Sequence, residues 1–274
     1  MRDFSAREFV GVDLLAGGVP CPPFSVAGKQ LGADDERDLF PEALRLANEC
    51  RPKAIMLENV RGFLSPSFAD YRSELKKRLS SMGYITQWQV FNASDFGVSQ
   101  LRPRVVIVAV LSEIAAFYRP PFSLGEPPVT VGDLLYDLMA EDGWKGAETW
   151  RKGASKIAPT LVGGSKKHGG ADLGPTRAKA AWAQMGVNGK SLADAPPSKH
   201  SEEMPRLTLQ MTARIQGFPD EWKFAGKKTA SYRQIGNAFP PPVARAVGMK
   251  IKQAIYDAKK ASPGEPAKPL KISL

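Results

Sequence analysis

The sequence is poor in the residues that build metal centres and covalent staples. It has two cysteines, Cys21 and Cys50, and two histidines, His168 and His200, all far apart in the chain. That is too few and too scattered for a zinc site or a disulfide framework, so a reduced compartment and no structural metal are expected. No apolar run approaches bilayer-spanning length, and the opening Met1-Arg-Asp-Phe-Ser has no hydrophobic stretch of the secretory kind. The expected location is cytoplasmic, with no membrane partner. Acids are also scarce, 28 Asp and Glu against 38 Lys and Arg, for a net charge of +10 and a pI near 9.6. Such a balance points to a polyanionic partner, nucleic acid first. What is present is 43% hydrophobic content in 274 residues, enough core for one large domain or two modest ones.

Short apolar runs alternate with amphipathic ones through the first 110 residues. Phe9 to Leu15 reads as a buried strand that stops at Gly17-Gly18, Pro41 to Cys50 as a helix, and Lys53 to Glu58 as a second strand. Phe68 to Met82 follows as a helix, then Tyr84 to Asn92 and Val105 to Val110 as strands. This order predicts an α/β domain with a mostly parallel sheet and a site at the carboxyl ends of its strands. After Tyr118 the text changes to Arg119-Pro-Pro and Glu126-Pro-Pro linkers, then to a Gly-rich stretch poor in periodic segments up to about Pro197. Between Trp150 and Lys190 stand Arg151, Lys152, Lys156, Lys166, Lys167, Arg177, Lys179 and Lys190 against one acid, Asp172, a net +7. An isolated Lys-Lys pair is an ordinary solvated loop, but so much charge in one Gly-rich stretch favours phosphate contact. Pro240 to Ala258 reads as a closing helix, and the Pro- and Lys-rich tail from Ser262 as disordered.

Three places could carry chemistry. Cys21 lies in Gly17-Gly-Val-Pro-Cys-Pro-Pro-Phe-Ser25, where three prolines stiffen the loop after a strand. Most free cysteines are small buried hydrophobes, which suits Cys50 on its helix face, whereas a rigid exposed loop suits a nucleophile. No histidine is near Cys21 in sequence, so a cysteine–histidine pair has little support. Glu58 ends the apolar strand KAIMLE; partial desolvation there would raise its pKa and suit a proton donor. Gln100-Leu-Arg102-Pro-Arg104 precedes the strand VVIVAV, and its arginines could supply positive potential or hold an anion.

PCPPFS at 20–25, ENV at 58–60, QLRPR at 100–104, RLTLQMTARIQGFPDEW at 206–222 and YRQIGNAFPPPVA at 232–244 resemble, in order, the motifs of the cytosine-C5 DNA methyltransferases. The resemblance covers about Phe9 to Lys250. It implies a Rossmann-like S-adenosylmethionine-dependent methyltransferase core with a smaller, irregular target-recognition domain. Carried over to this sequence, the partial catalytic core takes residues 1–120, the recognition region and the segment after it 121–230, and a helix returning to the core 231–258. The tail takes 259–274. Cys21 would add to C6 of a flipped cytosine in duplex DNA, Glu58 would hold and protonate N3, and Arg102 and Arg104 would organise the pocket. Pro20, Phe24, Ser25, Asn59 and Gln100 would shape the pocket for the base. Leu39 and Asn237 would touch S-adenosylmethionine, and Lys166, Lys167 and Arg177 the DNA, with residues 129–205 reading its sequence.

The sequence departs from the family in Pro22, where many members have Gln, and in Val19, where many have Pro. It also begins too late to hold the Phe-x-Gly-x-Gly-Gly loop of the cofactor site; Phe9-Val-Gly11 lies only ten residues before Cys21 and belongs to the strand leading into the cysteine loop. Cofactor binding by this chain alone is therefore expected to be weak or absent. A late start codon, a truncated gene and a split enzyme with a second polypeptide supplying the N-terminal motif all fit. A companion restriction endonuclease is a further expected partner. A non-catalytic DNA-binding remnant and an RNA cytosine-C5 methyltransferase are the alternatives, and the long basic insert favours duplex DNA over RNA.

Overall fold

The computed structural model describes residues 3–20, 38–123, 125, 127–163 and 170–261. Cys21, Phe24, Ser25, Lys166, Lys167 and the tail from Pro263 lie outside the described residues. The chain divides into two compact units, one of Met1–Phe91, Pro103–Phe122 and Ala246–Leu274, the other of Asn92–Arg102 and Ser123–Arg245.

The first unit is built on a four-stranded sheet. Its strands are β1 (Leu14–Gly18), β2 (Ala54–Val60), β3 (Tyr84–Asn92) and β4 (Pro103–Leu111), in the spatial order β1-β2-β4-β3. β1 runs parallel to β2, but β4 runs antiparallel to it, so the sheet is mixed rather than mostly parallel. The two central strands are buried along nearly their whole length, which accounts for the unbroken apolar text AIML and VVIVAV. Their side chains Ile55, Leu57, Val105, Ile107 and Ala109 share a core with α1 (Phe40–Cys50) and α2 (Ala69–Ser81). α1 buries Phe40, Ala43, Leu44, Ala47 and Cys50, a helical stripe. Asp38 accepts from the Phe40 N–H at its start, and left-handed Arg51 (φ 47°) before Pro52 ends it. Cys50 is buried and its thiol is pushed up by that burial, in keeping with a core residue.

The first strand sits later than its apolar text suggested. Arg7–Phe9 forms a 3-10 turn, and Gly11, at φ +80°, donates its N–H to the Cys50 carbonyl, which breaks the extended run. The strand ends, as expected, at Gly17-Gly18, its last two residues, which pair in register with Leu57 and Glu58. A Cβ on Gly18 would stand 3.3 Å from the Glu58 carboxylate, so glycine leaves the acid its room.

In the second unit, α4 (Val131–Ala140) follows α3 (Ser112–Ala115) of the first in chain order; α5 (Ala147–Gly153), α6 (Thr176–Ala183), α7 (Leu209–Ile215) and α8 (Lys228–Asn237) come next. The stretch expected to be irregular thus carries α4, α5 and α6, each too short for its periodicity to stand out among glycines and prolines. Its core joins Leu135, Met139, Trp150, Leu161, Trp182, Met211, Ile215 and Tyr232. Thr130 caps α4 by accepting from the Asp133 N–H, and Thr208 caps α7 by accepting from the Met211 N–H. The closing helix, α9 (Pro241–Lys260), buries Val243, Val247, Ile251 and Ala254, and runs two residues past the expected start of the tail. Among the described residues no helix is long and apolar enough to cross a membrane.

Candidate active site

In the first unit the chemistry-bearing side chains collect where β1 and β2 end. The antiparallel register sets Glu58 opposite Val106 and Val60 opposite Arg104, so Glu58 and Arg104 are diagonal neighbours. Arg104 Nε stands 2.7 Å from Glu58 Oε1, with both side chains little exposed, at 13% and 12%. Burial holds the Arg104 guanidinium below its ordinary pKa, opposed by the Glu58 carboxylate, while Arg104 Nη1 donates to the Pro103 carbonyl at 2.8 Å. The Glu58 carboxylate thus meets a cation at hydrogen-bond distance as well as a little-exposed setting.

Asn59 is buried and ties the two strand ends together. Its Nδ2 donates to the Val19 carbonyl at 3.0 Å, and its Oδ1 accepts from the Val60 N–H at 2.8 Å. Val19 is the residue before exposed Pro20, which leads to Cys21, so the cysteine loop departs from a point clasped to the strand that carries Glu58. Cys21, Phe24 and Ser25 themselves lie outside the described residues.

The two arginines of QLRPR part company. Arg102 belongs to the second unit, where its side chain is 1% exposed. Its guanidinium donates to the carbonyls of Leu161 (2.7 Å), Gly236 (2.7 Å) and Ala238 (2.9 Å). Those last two lie at the C-terminal end of α8, where unpaired carbonyls favour a cation. Gln100 is fully buried in the same unit, donating to Gln216 Oε1 at 2.6 Å and accepting from the Leu161 N–H at 2.8 Å. Arg104 lies within β4, whereas Arg102 precedes the strand and belongs to the other unit.

Leu39 is half-buried at the N-terminal end of α1 and Asn237 is exposed at the end of α8, each in a different unit. Arg177 is exposed on α6; Lys166 and Lys167 lie outside the described residues. Sequence reasoning missed two features of the second unit. Gln216 is completely buried, and its only sequence signal is an amide next to Ile215 inside the quoted motif, which also holds Gln210. Gly163 and Gly236 meet backbone to backbone: a Cβ on Gly236 would fall 2.4 Å from Gly163 Cα, a contact no local pattern announces.

A family model described as C-5 cytosine-specific DNA methylase matches residues 1–253. Among curated relatives, the type II methyltransferase M.NaeI of Lentzea aerocolonigenes is 59% identical over 251 residues, covering 90% of this chain and 60% of the relative. The type II methyltransferase M.NgoMIV of Neisseria gonorrhoeae is 55% identical over 258 residues, covering 93% of this chain and 82% of the relative. Of solved structures, the Entamoeba histolytica methyltransferase EhMeth aligns with a TM-score of 0.57 at 15% identity, over 94% of this chain and 82% of its own. A Spodoptera frugiperda DNMT2 variant aligns with a TM-score of 0.56 at 20% identity, over 88% and 79%. At these identities the structural likeness establishes the fold, a mixed α/β sheet with helices.

Proposed function

The chain belongs to the C-5 cytosine-specific DNA methylase family, and we propose that it methylates C5 of a flipped cytosine within a specific duplex sequence, using S-adenosylmethionine. The observation that carries this reading is the buried Glu58–Arg104 pair at the end of β2, beside the Asn59 clasp on the strand that leads to Cys21. Cytosine C5 is a poor nucleophile until a group adds to the ring. In our reading the Cys21 thiolate adds to C6 while Glu58 gives its proton to N3, so the ring becomes an enamine and Arg104 stabilises the carboxylate left behind. Methyl transfer to C5, loss of the C5 proton to water, and elimination of the Cys21 sulfur with return of the N3 proton to Glu58 then restore the aromatic base.

S-adenosylmethionine supplies the methyl group when bound. Within the second unit Asn237 offers an exposed amide suited to its amino-acid end. Residues 129–205 and the basic side chains around Arg177 would read and hold the DNA. β1 presents Ala16, Gly17 and Gly18 exposed, and has only β2 as a strand neighbour among the described residues, which supports an additional strand pairing there from a second polypeptide. A companion endonuclease and a cytoplasmic setting are further parts of this reading.

The test is a covalent trap. Duplex DNA carrying 5-fluorocytosine blocks the final elimination, and incubation with cofactor, together with an N-terminal fragment from a relative that carries the Phe-x-Gly-x-Gly-Gly loop, should leave a protein–DNA adduct that denaturing electrophoresis resolves. Cys21→Ser should abolish it. An adduct intact in Cys21→Ser would remove the nucleophile assignment, and DNA binding with no adduct from the unsubstituted protein would favour a non-catalytic DNA-binding role.

A further inference from the structure

Within the second unit three amide groups line up head to tail through the interior. The Leu161 N–H donates to Gln100 Oε1 at 2.8 Å, Gln100 Nε2 donates to Gln216 Oε1 at 2.6 Å, and Gln216 Nε2 donates to the Ala238 carbonyl at 2.7 Å. Both glutamine side chains are fully buried. The direction of the relay is fixed at its ends, because a backbone N–H can only donate and a backbone carbonyl only accept; each glutamine amide therefore has one usable orientation. Arg102 closes the circuit by donating to the carbonyls of Leu161, Gly236 and Ala238. The residues on both sides of Asn237 are thus held by side chains that come from the Gln100–Arg102 segment and from the end of α7. The Leu161 end is held equally: a Cβ on Gly236 would meet the Gly163 backbone at 2.4 Å, and one on Gly163 the Arg233 carbonyl at 2.7 Å.

We propose that Gln216 is a positioning residue that, through Gln100 and the Ala238 carbonyl, fixes Asn237 and the Leu161–Gly163 loop in one arrangement, so that cofactor affinity is set from within this unit. The inference rests on the assignment of Asn237 to S-adenosylmethionine made above. A fully satisfied buried network specifies one geometry, whereas the same network with one member removed leaves donors and acceptors that compete for new partners. Gln216 touches no reacting atom in this scheme; it acts through Asn237.

The test uses the full chain and the variants Gln216→Met, Gln100→Met and the double variant, since methionine keeps the length and flexibility of glutamine without its amide. Two readouts are compared: amide hydrogen exchange without cofactor, and methyl-transfer kinetics with S-adenosylmethionine and duplex DNA. Each single variant should speed exchange at the Leu161 amide about tenfold, as expected when one structural hydrogen bond is removed, while amides of β2 and β4 keep their rates. In Gln216→Met the KM for S-adenosylmethionine should rise by about tenfold with kcat little changed, and in exchange at Leu161 the double variant should be no worse than the poorer single one. Unchanged exchange at Leu161, a uniform acceleration across the unit, or additive losses in the double variant would overturn the proposal, as would an unaltered KM in active Gln216→Met. If Gln216→Met does not fold, Gln100→Met breaks the relay from its other end and carries the same expectation for exchange at Leu161. Absence of transfer by the unsubstituted protein counts against the proposed function instead, and the exchange rates then decide the role of Gln216 by themselves.

Discussion

Glu58 and Arg104 show how two side chains change meaning when they meet. Glu58→Gln should keep DNA binding and lower kcat by about 10²–10⁴-fold, the usual worth of a positioned acid. Arg104→Met should act differently, on the pH dependence. Removing the neighbouring cation makes the carboxyl hold its proton more tightly, so the pH above which the acid form is lost should move upward. A pH–kcat profile unchanged in Arg104→Met would show that the pair is structural. At Gly236 the physics is steric. Gly236→Ala places a methyl group 2.4 Å from Gly163 Cα, a backbone atom that cannot swing aside. It should destabilise the protein by about 1–3 kcal/mol, the cost of overpacking, measured by urea unfolding. A neutral result would mean that the Gly163 loop yields freely.

At the level of elements, α1 is anchored at both faces. Its apolar stripe enters the core, and its outer residue Glu49 pins the start of the chain by accepting from the Ala6 N–H (2.7 Å) and the Ser5 hydroxyl (3.3 Å). Arg45 donates to the other oxygen of the same carboxylate. The Ala6 N–H, with Arg45 adding to it, holds the Glu49 carboxyl below its usual value of 4.5. A carboxyl whose folded pKa is depressed stabilises the fold above its unfolded value, and that contribution is lost as pH falls through the folded value. Glu49→Gln should therefore lower Tm near neutral pH, and the gap to the unsubstituted protein should close as pH is taken below 4.5. A gap that widened in acid would mean that the ionised carboxylate does not anchor the N-terminal turn.

For the whole molecule, the division of labour between the two units is itself testable. Exchanging residues 129–205 for the matching region of a relative with another specificity should move methylation to new sites in bisulfite sequencing; methylation that stayed in place would put recognition elsewhere. Neutralising Lys166 and Lys167 together should flatten the salt dependence of DNA binding by up to about one unit of slope for each phosphate that the protein no longer neutralises. The sequence by itself determined the alternation of strands and helices, because the buried strands β2 and β4 and the stripe on α1 are written in local apolar periods. It also determined the ordered motifs around Cys21, Glu58 and Gln100–Arg104. The antiparallel course of β4 was not legible, since a strand buried on both faces reads the same in either direction. Nor was the start of β1, where Gly11 at φ +80° interrupts the apolar run that begins at Phe9. Above all, tertiary structure decided what the two arginines of QLRPR do. Arg104 meets Glu58 only because β2 and β4 pair in one register, and Arg102 finds Leu161, Gly236 and Ala238 only once segments tens of residues apart have folded together, contacts that no local sequence period encodes.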